Sequence, residues 1–155
     1  MSIIWHSIIL SLLPIAELRG GIPYAVASDM GIVPAFFLCV CSNILVIPIM
    51  YIFLETVHKA FYKVKLYQRI FDKYIERTRL KGEKSFAKYG YWGIMLFVAI
   101  PLPVTGAYTG TAAAWILRLQ KRKSFLYLAL GVVIAGVIVS IATMTGLGLL
   151  KIFIK

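Results

Sequence analysis

Four apolar stretches alternate with charged segments along the chain, and two of them are long and regular enough to cross a membrane. Residues 32–54 form a run of 23 residues without a charge, and residues 125–150 form a run of 26. At about 1.5 Å per residue, either stretch spans a bilayer as a helix. The other two differ, because 1–16 is short and 91–117 is interrupted near its centre by Pro101 and Pro103. We therefore expect an all-α integral membrane protein with two transmembrane helices and two broken segments.

The first broken segment ends in a charged motif, Glu17-Leu18-Arg19-Gly20-Gly21-Ile22-Pro23. Ionisable side chains at bilayer depth are costly and persist mainly where they face protein or a water-filled cavity, so this pair indicates a transport or binding site. Residues that tend to end helices lie within and beside the motif: Pro14, Gly20, Gly21 and Pro23. The pattern predicts a helix broken around the two charges. The alternative is a structural ion pair, of the two side chains with each other or with the backbone.

Composition and charge narrow the class of protein. With 61% hydrophobic residues, 15% charged residues and a mean hydropathy of +0.87, the chain has too much apolar surface for a small aqueous domain. The net charge of +11 is concentrated in residues 59–88 and 118–123, beside the apolar segments. The positive-inside rule produces this clustering, so we expect a multi-pass protein of the cell membrane whose partners are anionic lipids rather than nucleic acid.

The same rule predicts the topology. A true crossing by residues 91–117 would place the basic cluster at 118–123 on the opposite side from the basic segment before it. A re-entrant hairpin folded at the two prolines keeps both clusters cytoplasmic. Residues 1–31 then form the matching hairpin from the other side, and residues 118–155 end in the second transmembrane helix. The chain is thus expected to be one membrane domain, residues 1–155, built as an inverted repeat of a re-entrant hairpin plus a transmembrane helix.

The segment between the halves, residues 55–90, is rich in basic residues and has apolar positions at helical spacing. This pattern predicts a basic amphipathic linker helix on the cytoplasmic membrane surface. A helix that binds a partner protein is the alternative.

Two stretches of the chain carry a resemblance to a known family. The motif from Glu17 to Pro23 and the sequence Pro-Leu-Pro-Val-Thr-Gly-Ala-Tyr-Thr-Gly, from Pro101 to Gly110, resemble the signature hairpins of the small multidrug export family. That family is similar in layout to the DedA/VTT superfamily of membrane proteins. The resemblance implies two facing re-entrant loops and a role in moving lipids or amphiphilic small molecules. DedA proteins typically have an arginine within the second hairpin, whereas here the nearest arginine is Arg118, at its exit.

Candidate substrate- or ion-binding residues come from both broken segments, the first transmembrane helix and the turn after the second hairpin. They are Glu17, Arg19, Gly20, Gly21, Pro23, Asn43, Pro101, Pro103, Thr105, Gly106, Tyr108, Thr109 and Arg118. The structural alternative is close helix packing for Gly106 and an interhelical hydrogen bond for Asn43. Tyr108 and Thr109 fit either interpretation.

The residue pattern favours a transporter or lipid flippase. Arg19 presents a planar set of donors that suits a phosphate or carboxylate, and Glu17 is a candidate for coupling to protons or cations. We therefore expect an amphiphilic, anionic substrate. The alternative is a membrane scaffold or lipid-organising protein that acts through the basic linker. We expect no enzyme, metal or cofactor, since the sequence shows no membrane-depth histidine, paired aspartates or CxxC motif. A homodimer is also expected, because two spans and two hairpins enclose little volume.

Overall fold

A computed structural model describes residues 3–61, 90–101 and 105–153, which form six helices and, within these ranges, no strand. The helices, in chain order, are α1 (Ile3–Leu12), α2 (Glu17–Ala27), α3 (Ile32–Phe61), α4 (Gly90–Ala99), α5 (Ala107–Ile116) and α6 (Lys121–Phe153). The basic linker predicted between the halves falls largely on residues 62–89, outside the described residues. The all-helical class predicted from the sequence is confirmed for the described part of the chain.

The two long helices, α3 and α6, run antiparallel. Near one end of the pair, Gly136 lets α6 approach Val40 and Phe36 of α3, and at the other end Glu55 forms an ion pair with Lys121. Within them, residues 32–57 and 121–146 are long and apolar enough to cross a bilayer. Large apolar side chains on both helices are exposed, as expected of lipid-facing surfaces. These two helices correspond to the two predicted spans.

Helices α1 and α2 form a hairpin whose turn is residues 13–16. They pack closely, because a Cβ at Gly21 would lie 3.2 Å from the Ser7 carbonyl oxygen of α1 and 3.1 Å from Cys39 Sγ of α3. The predicted break is confirmed at Pro14, which lies in this turn, and is wrong at Gly20, Gly21 and Pro23, which lie inside α2. The chain breaks before Glu17 instead, and Gly21 serves close packing between helices.

Helices α4 and α5 form a second hairpin, with Pro101 in the connection between them. The two ends of this hairpin lie together, since the backbone N–H of Gln120 donates a 3.2 Å hydrogen bond to the Tyr91 hydroxyl. The predicted interruption of 91–117 at Pro101 is present, whereas Pro103 lies outside the described residues. The segment therefore turns back on itself.

The tips of the two hairpins meet near the middle of α3 and α6. Asn43 of α3 contacts the end of α1, and it lies about 17 Å along the helix from Ile32. The buried core surrounds this junction and contains residues from five helices: Leu18, Ile22, Cys39, Val46, Ile47, Ile94, Val98, Ala107, Ala114, Leu128 and Val132. The charged motif is thus held at the centre of the helix bundle.

Candidate functional site

Glu17 begins α2 and reaches across to the second hairpin. Its backbone has φ of 43°, a left-handed conformation that is uncommon for a residue with a side chain. The residue is only 6% exposed, and its carboxylate lies against Gly106, where the backbone N–H groups of Ala107 and Tyr108 stabilise its charge. These are the first N–H groups of α5, which have no partner within their own helix. The Glu17 side chain therefore caps the N-terminus of a helix from the other half of the chain, where a negative charge is favourable.

Gly106 makes this contact possible. A Cβ at this position would lie 2.6 Å from Glu17 Oε1, well inside the contact distance of two heavy atoms. A glycine is therefore required for the carboxylate to approach the start of α5. Close packing was the structural alternative for Gly106, and here the group that packs against it is the charged side chain.

Arg19 also contacts the second hairpin, but at a different group. Its Nη2 donates a 3.5 Å hydrogen bond to the Thr105 carbonyl oxygen. The guanidinium attracts the Glu17 carboxylate electrostatically. Among the described residues, however, no ion pair with a nitrogen–oxygen distance within 4.0 Å involves Arg19. The pair within that distance joins Glu55 to Lys121. Each charge of the motif is thus held by backbone groups of the opposite hairpin rather than by the other charge.

Tyr108 provides a third link between the hairpins, because its hydroxyl donates a hydrogen bond to the Leu12 carbonyl oxygen at the end of α1. Two neighbouring hydroxyls bond within the second hairpin: Thr105 Oγ1 donates to the Ile100 carbonyl oxygen at 2.6 Å, and Thr109 Oγ1 to that of Gly106 at 3.4 Å. The tips are therefore joined by polar contacts in both directions.

Asn43 lies beside the tips on α3 and is 1% exposed. Its Nδ2 donates a 2.9 Å hydrogen bond to the Ser11 carbonyl oxygen. A carbonyl oxygen can only accept, so this bond fixes which branch of the amide is nitrogen. Among the described residues, no donor lies within hydrogen-bond distance of Asn43 Oδ1. The helix bundle thus contains a buried acceptor that no described residue satisfies.

Two adjoining cavities meet at Arg19. The first, here called the crevice, is about 10 Å³ in volume and has room for about one water molecule. Its lining includes Glu17, Arg19, Asn43, Thr105 and Gly106. The second, here called the groove, is an open cavity of about 450 Å³ with a mostly apolar lining. It is lined by Arg19, Pro23, Pro101, Ile138, Val139, Ala142, Thr143 and Gly146.

The predicted site residues divide into two groups. The structure brings together Glu17, Arg19, Asn43, Thr105, Gly106, Tyr108 and Thr109 at the hairpin tips, with Pro23 and Pro101 on the groove. Gly20 and Gly21 lie in α2, where Gly21 packs against α1. Arg118 is exposed in the turn after α5, roughly 15 Å from the start of that helix. The structure thus places Arg118 away from the other candidates.

Sequence reasoning missed the backbone groups and the α6 residues of this site. The N–H of Ala107 and the carbonyl oxygens of Ser11 and Leu12 belong to residues whose side chains carry no charge. Their signal was indirect: Gly106, at a helix start, marks a close approach to the backbone. The α6 residues of the groove lie in an uncharged stretch that also contains Ser140 and Thr145, so the sequence does not single out Ala142, Thr143 and Gly146.

The geometry defines a helical membrane protein with a polar site at the meeting point of two hairpins. A comparison with protein families agrees with this class: the sequence model described as "Putative small multi-drug export protein" matches residues 17–138, from Glu17 through both hairpin tips into α6. The chain belongs to that family. No curated protein and no solved structure matches the chain.

Proposed function

We propose that the protein is a membrane transporter that moves an amphiphile with an anionic group, which binds at Arg19 while its apolar part lies in the groove. The observation that carries this proposal is that Arg19 lines both cavities. The groove offers an apolar surface open on one side, as an acyl chain or other apolar tail requires. The family description, which names export, supports a transport function of this kind.

The depth of the site supports the same proposal. Asn43, beside the hairpin tips, lies about 17 Å along α3, near the midplane of a hydrocarbon core about 30 Å thick. Charged groups at that depth are typical of substrate or ion pathways. Transporters often place their sites where discontinuous helices from two repeats meet at the midplane. In this proposal, α1–α2 and α4–α5 are re-entrant hairpins of an inverted repeat, and α3 and α6 are the spans.

The re-entrant arrangement can be tested by cysteine labelling in a chain whose Cys39 and Cys41 are replaced by alanine. New cysteines at Trp92, in the first turn of α4, and at Gln120, after α5, should be labelled from the cytoplasmic side. A cysteine at Ala27, at the end of the first hairpin, should be labelled from the opposite side. Labelling of positions 92 and 120 from opposite sides would mean that the segment crosses the membrane.

Transport can be tested with purified protein in liposomes that contain fluorescent anionic lipids or anionic amphiphiles. Arg19→Lys keeps the charge but loses the planar fork of donors, so the flux should fall at least about tenfold. Arg122→Lys, at an exposed position outside both cavities, is the matched control and should leave the flux unchanged. Equal flux through both variants would remove Arg19 from the substrate site, and no flux of any amphiphile would favour the scaffold alternative.

Coupling to protons is proposed through Glu17, which is the acidic side chain at the hairpin tips within the described part of the chain. Flux measured at two pH values should differ in the native protein. Glu17→Gln cannot change its charge with pH, so its flux should be the same at both values. A pH dependence that survives this substitution would assign the coupling to another group.

A further inference from the structure

We propose that the substrates are zwitterionic amphiphiles whose head group carries a primary ammonium beside its phosphate or carboxylate. The ammonium binds in the crevice between Glu17 and Asn43, and the acidic group binds Arg19. This inference rests on the proposed function and names the substrate class of the same site.

The crevice contains a hydrogen-bond acceptor that no described residue satisfies. Asn43 Oδ1 is buried and lines the crevice, and within the described residues it receives no hydrogen bond. The Glu17 carboxylate lines the same crevice. Its two oxygens offer about four acceptor positions, and the N–H groups of Ala107 and Tyr108 face at most two of them. A space bounded by acceptors with remaining capacity calls for a ligand that donates, and an ammonium group has three donors and no acceptor.

The charges of Glu17 and Arg19 also bear on which ligand the site favours. Glu17 and Arg19 contribute one negative and one positive charge, so the empty site is close to neutral. A purely anionic ligand at Arg19 would leave the Glu17 carboxylate as an uncompensated charge in a low-dielectric environment, which is costly. A zwitterion supplies a counter-charge to each residue and keeps the complex neutral. The site therefore favours a zwitterionic ligand over an anion with the same tail.

The volume of the crevice limits which head groups can enter it. The crevice has room for about one group as large as water, which is close to the size of an ammonium group. A quaternary trimethylammonium is larger and has no N–H to donate to Asn43 Oδ1. It would leave that acceptor unsatisfied, and sites built to bond a polar group reject analogues that lack it. The crevice should thus separate ethanolamine-type from choline-type head groups.

The crevice and the groove are continuous with each other. Arg19, Pro101 and Val139 line both the crevice and the groove. An amphiphile lying in the groove with its acidic group on Arg19 therefore has its head directed at the crevice. One ligand can use both cavities at once.

The test is a binding measurement on the purified full-length protein in detergent. Phospholipids with identical acyl chains and ethanolamine, choline or glycerol head groups are titrated, and the shift of the thermal unfolding midpoint gives an apparent Kd for each. We expect the ethanolamine lipid to bind about tenfold more tightly than the other two, the size of effect that a hydrogen bond to a charged group produces. Free phosphoethanolamine should bind much more weakly than the lipid, because it cannot use the groove.

Variants at Asn43 assign the preference to the crevice. Asn43→Leu is similar in size but has no acceptor, so the ratio of the two Kd values for ethanolamine and choline lipids should fall to about one. Reduced folding lowers binding of both lipids and leaves that ratio unchanged. Asn43→Asp retains an acceptor oxygen and should keep the preference. Ser42→Ala is the matched control on the same helix, since the Ser42 hydroxyl already donates to the Leu38 carbonyl oxygen at 2.7 Å.

Equal Kd values for the three lipids, or a preference that survives Asn43→Leu, would overturn the inference. Equal binding of free phosphoethanolamine and its lipid would assign the crevice to a soluble ligand and overturn it too. Flux in liposomes is scored separately. Selective binding without flux would refute transport and leave the assigned ligand class intact. Flux of all three lipids with equal Kd values would support transport and refute the assigned ligand class.

Discussion

The two hairpins contribute to the same site by different chemical means. The first hairpin supplies charged side chains, Glu17 and Arg19, whereas residues 91–117 contain no charged side chain. The second supplies backbone groups: the N–H groups of Ala107 and Tyr108 stabilise the carboxylate, and the carbonyl oxygen of Thr105 accepts a hydrogen bond from the guanidinium. A helix N-terminus stabilises an anion without any basic residue. An uncharged segment can thus form half of an electrostatic site.

The strongest way to break this arrangement is to block the approach of the carboxylate. Gly106→Ala places a Cβ against Glu17, so the carboxylate must leave the start of α5 while it stays buried. We expect a loss of about 3–5 kcal/mol in the free energy of unfolding, the cost of an unpaired buried charge. Denaturation in detergent measures it. Gly90→Ala is the control, because Gly90 also has a positive φ but a Cβ there would meet nothing within 4 Å, so an equal loss would assign the effect to backbone strain rather than to the contact with Glu17.

A smaller effect is expected when one backbone donor is removed. Ala107→Pro deletes a backbone N–H that faces the Glu17 carboxylate. Ala107 is the first residue of α5, a position where proline is otherwise tolerated. Gly106, the residue before it, has ψ of −166°, outside the α region that a following proline disfavours. The expected loss is about 1.5–3 kcal/mol, measured as above. Ala107→Val is similar in size and keeps the N–H, so an equal loss in both variants would attribute the effect to crowding.

The link from the second hairpin back to the first should be worth less, because it joins two neutral groups. Tyr108→Phe removes the hydroxyl that donates to the Leu12 carbonyl oxygen, and we expect a loss of about 1 kcal/mol. Tyr24→Phe, on the first hairpin, is the control and should change stability by less than about 0.5 kcal/mol. A neutral result for Tyr108→Phe would mean that this hydrogen bond does not hold the tips together.

The smallest effect should be the coupling between the two charges themselves. Because each is held by the opposite hairpin, Glu17→Gln and Arg19→Gln should have nearly additive effects on stability, within about 0.5 kcal/mol in a double-mutant cycle. A direct buried ion pair would instead give single losses of about 3–5 kcal/mol and a double variant restored toward the native value. Such a rescue would return the motif to the ion-pair interpretation.

The sequence predicted the two spans and the charged motif because these depend on side-chain chemistry that hydropathy and charge report directly. The break at Pro101 was also predictable, since proline acts locally. Gly20, Gly21 and Pro23 misled the prediction, because tertiary packing against α1 and α3 keeps α2 continuous through them. The partners of Glu17 could not be predicted, since every residue has a backbone N–H and only the fold decides which ones face a carboxylate.

The use of backbone groups by the second hairpin also bears on how this site is inherited. Side-chain substitutions at residues 105, 107 and 108, other than to proline, leave the backbone N–H and carbonyl groups in place, whereas Gly106 cannot carry a side chain. Two homologous chains could share the site while differing at most of these positions. An alanine scan of the second hairpin would therefore detect Gly106 and the Tyr108 hydroxyl but would miss the backbone groups that face Glu17 and Arg19.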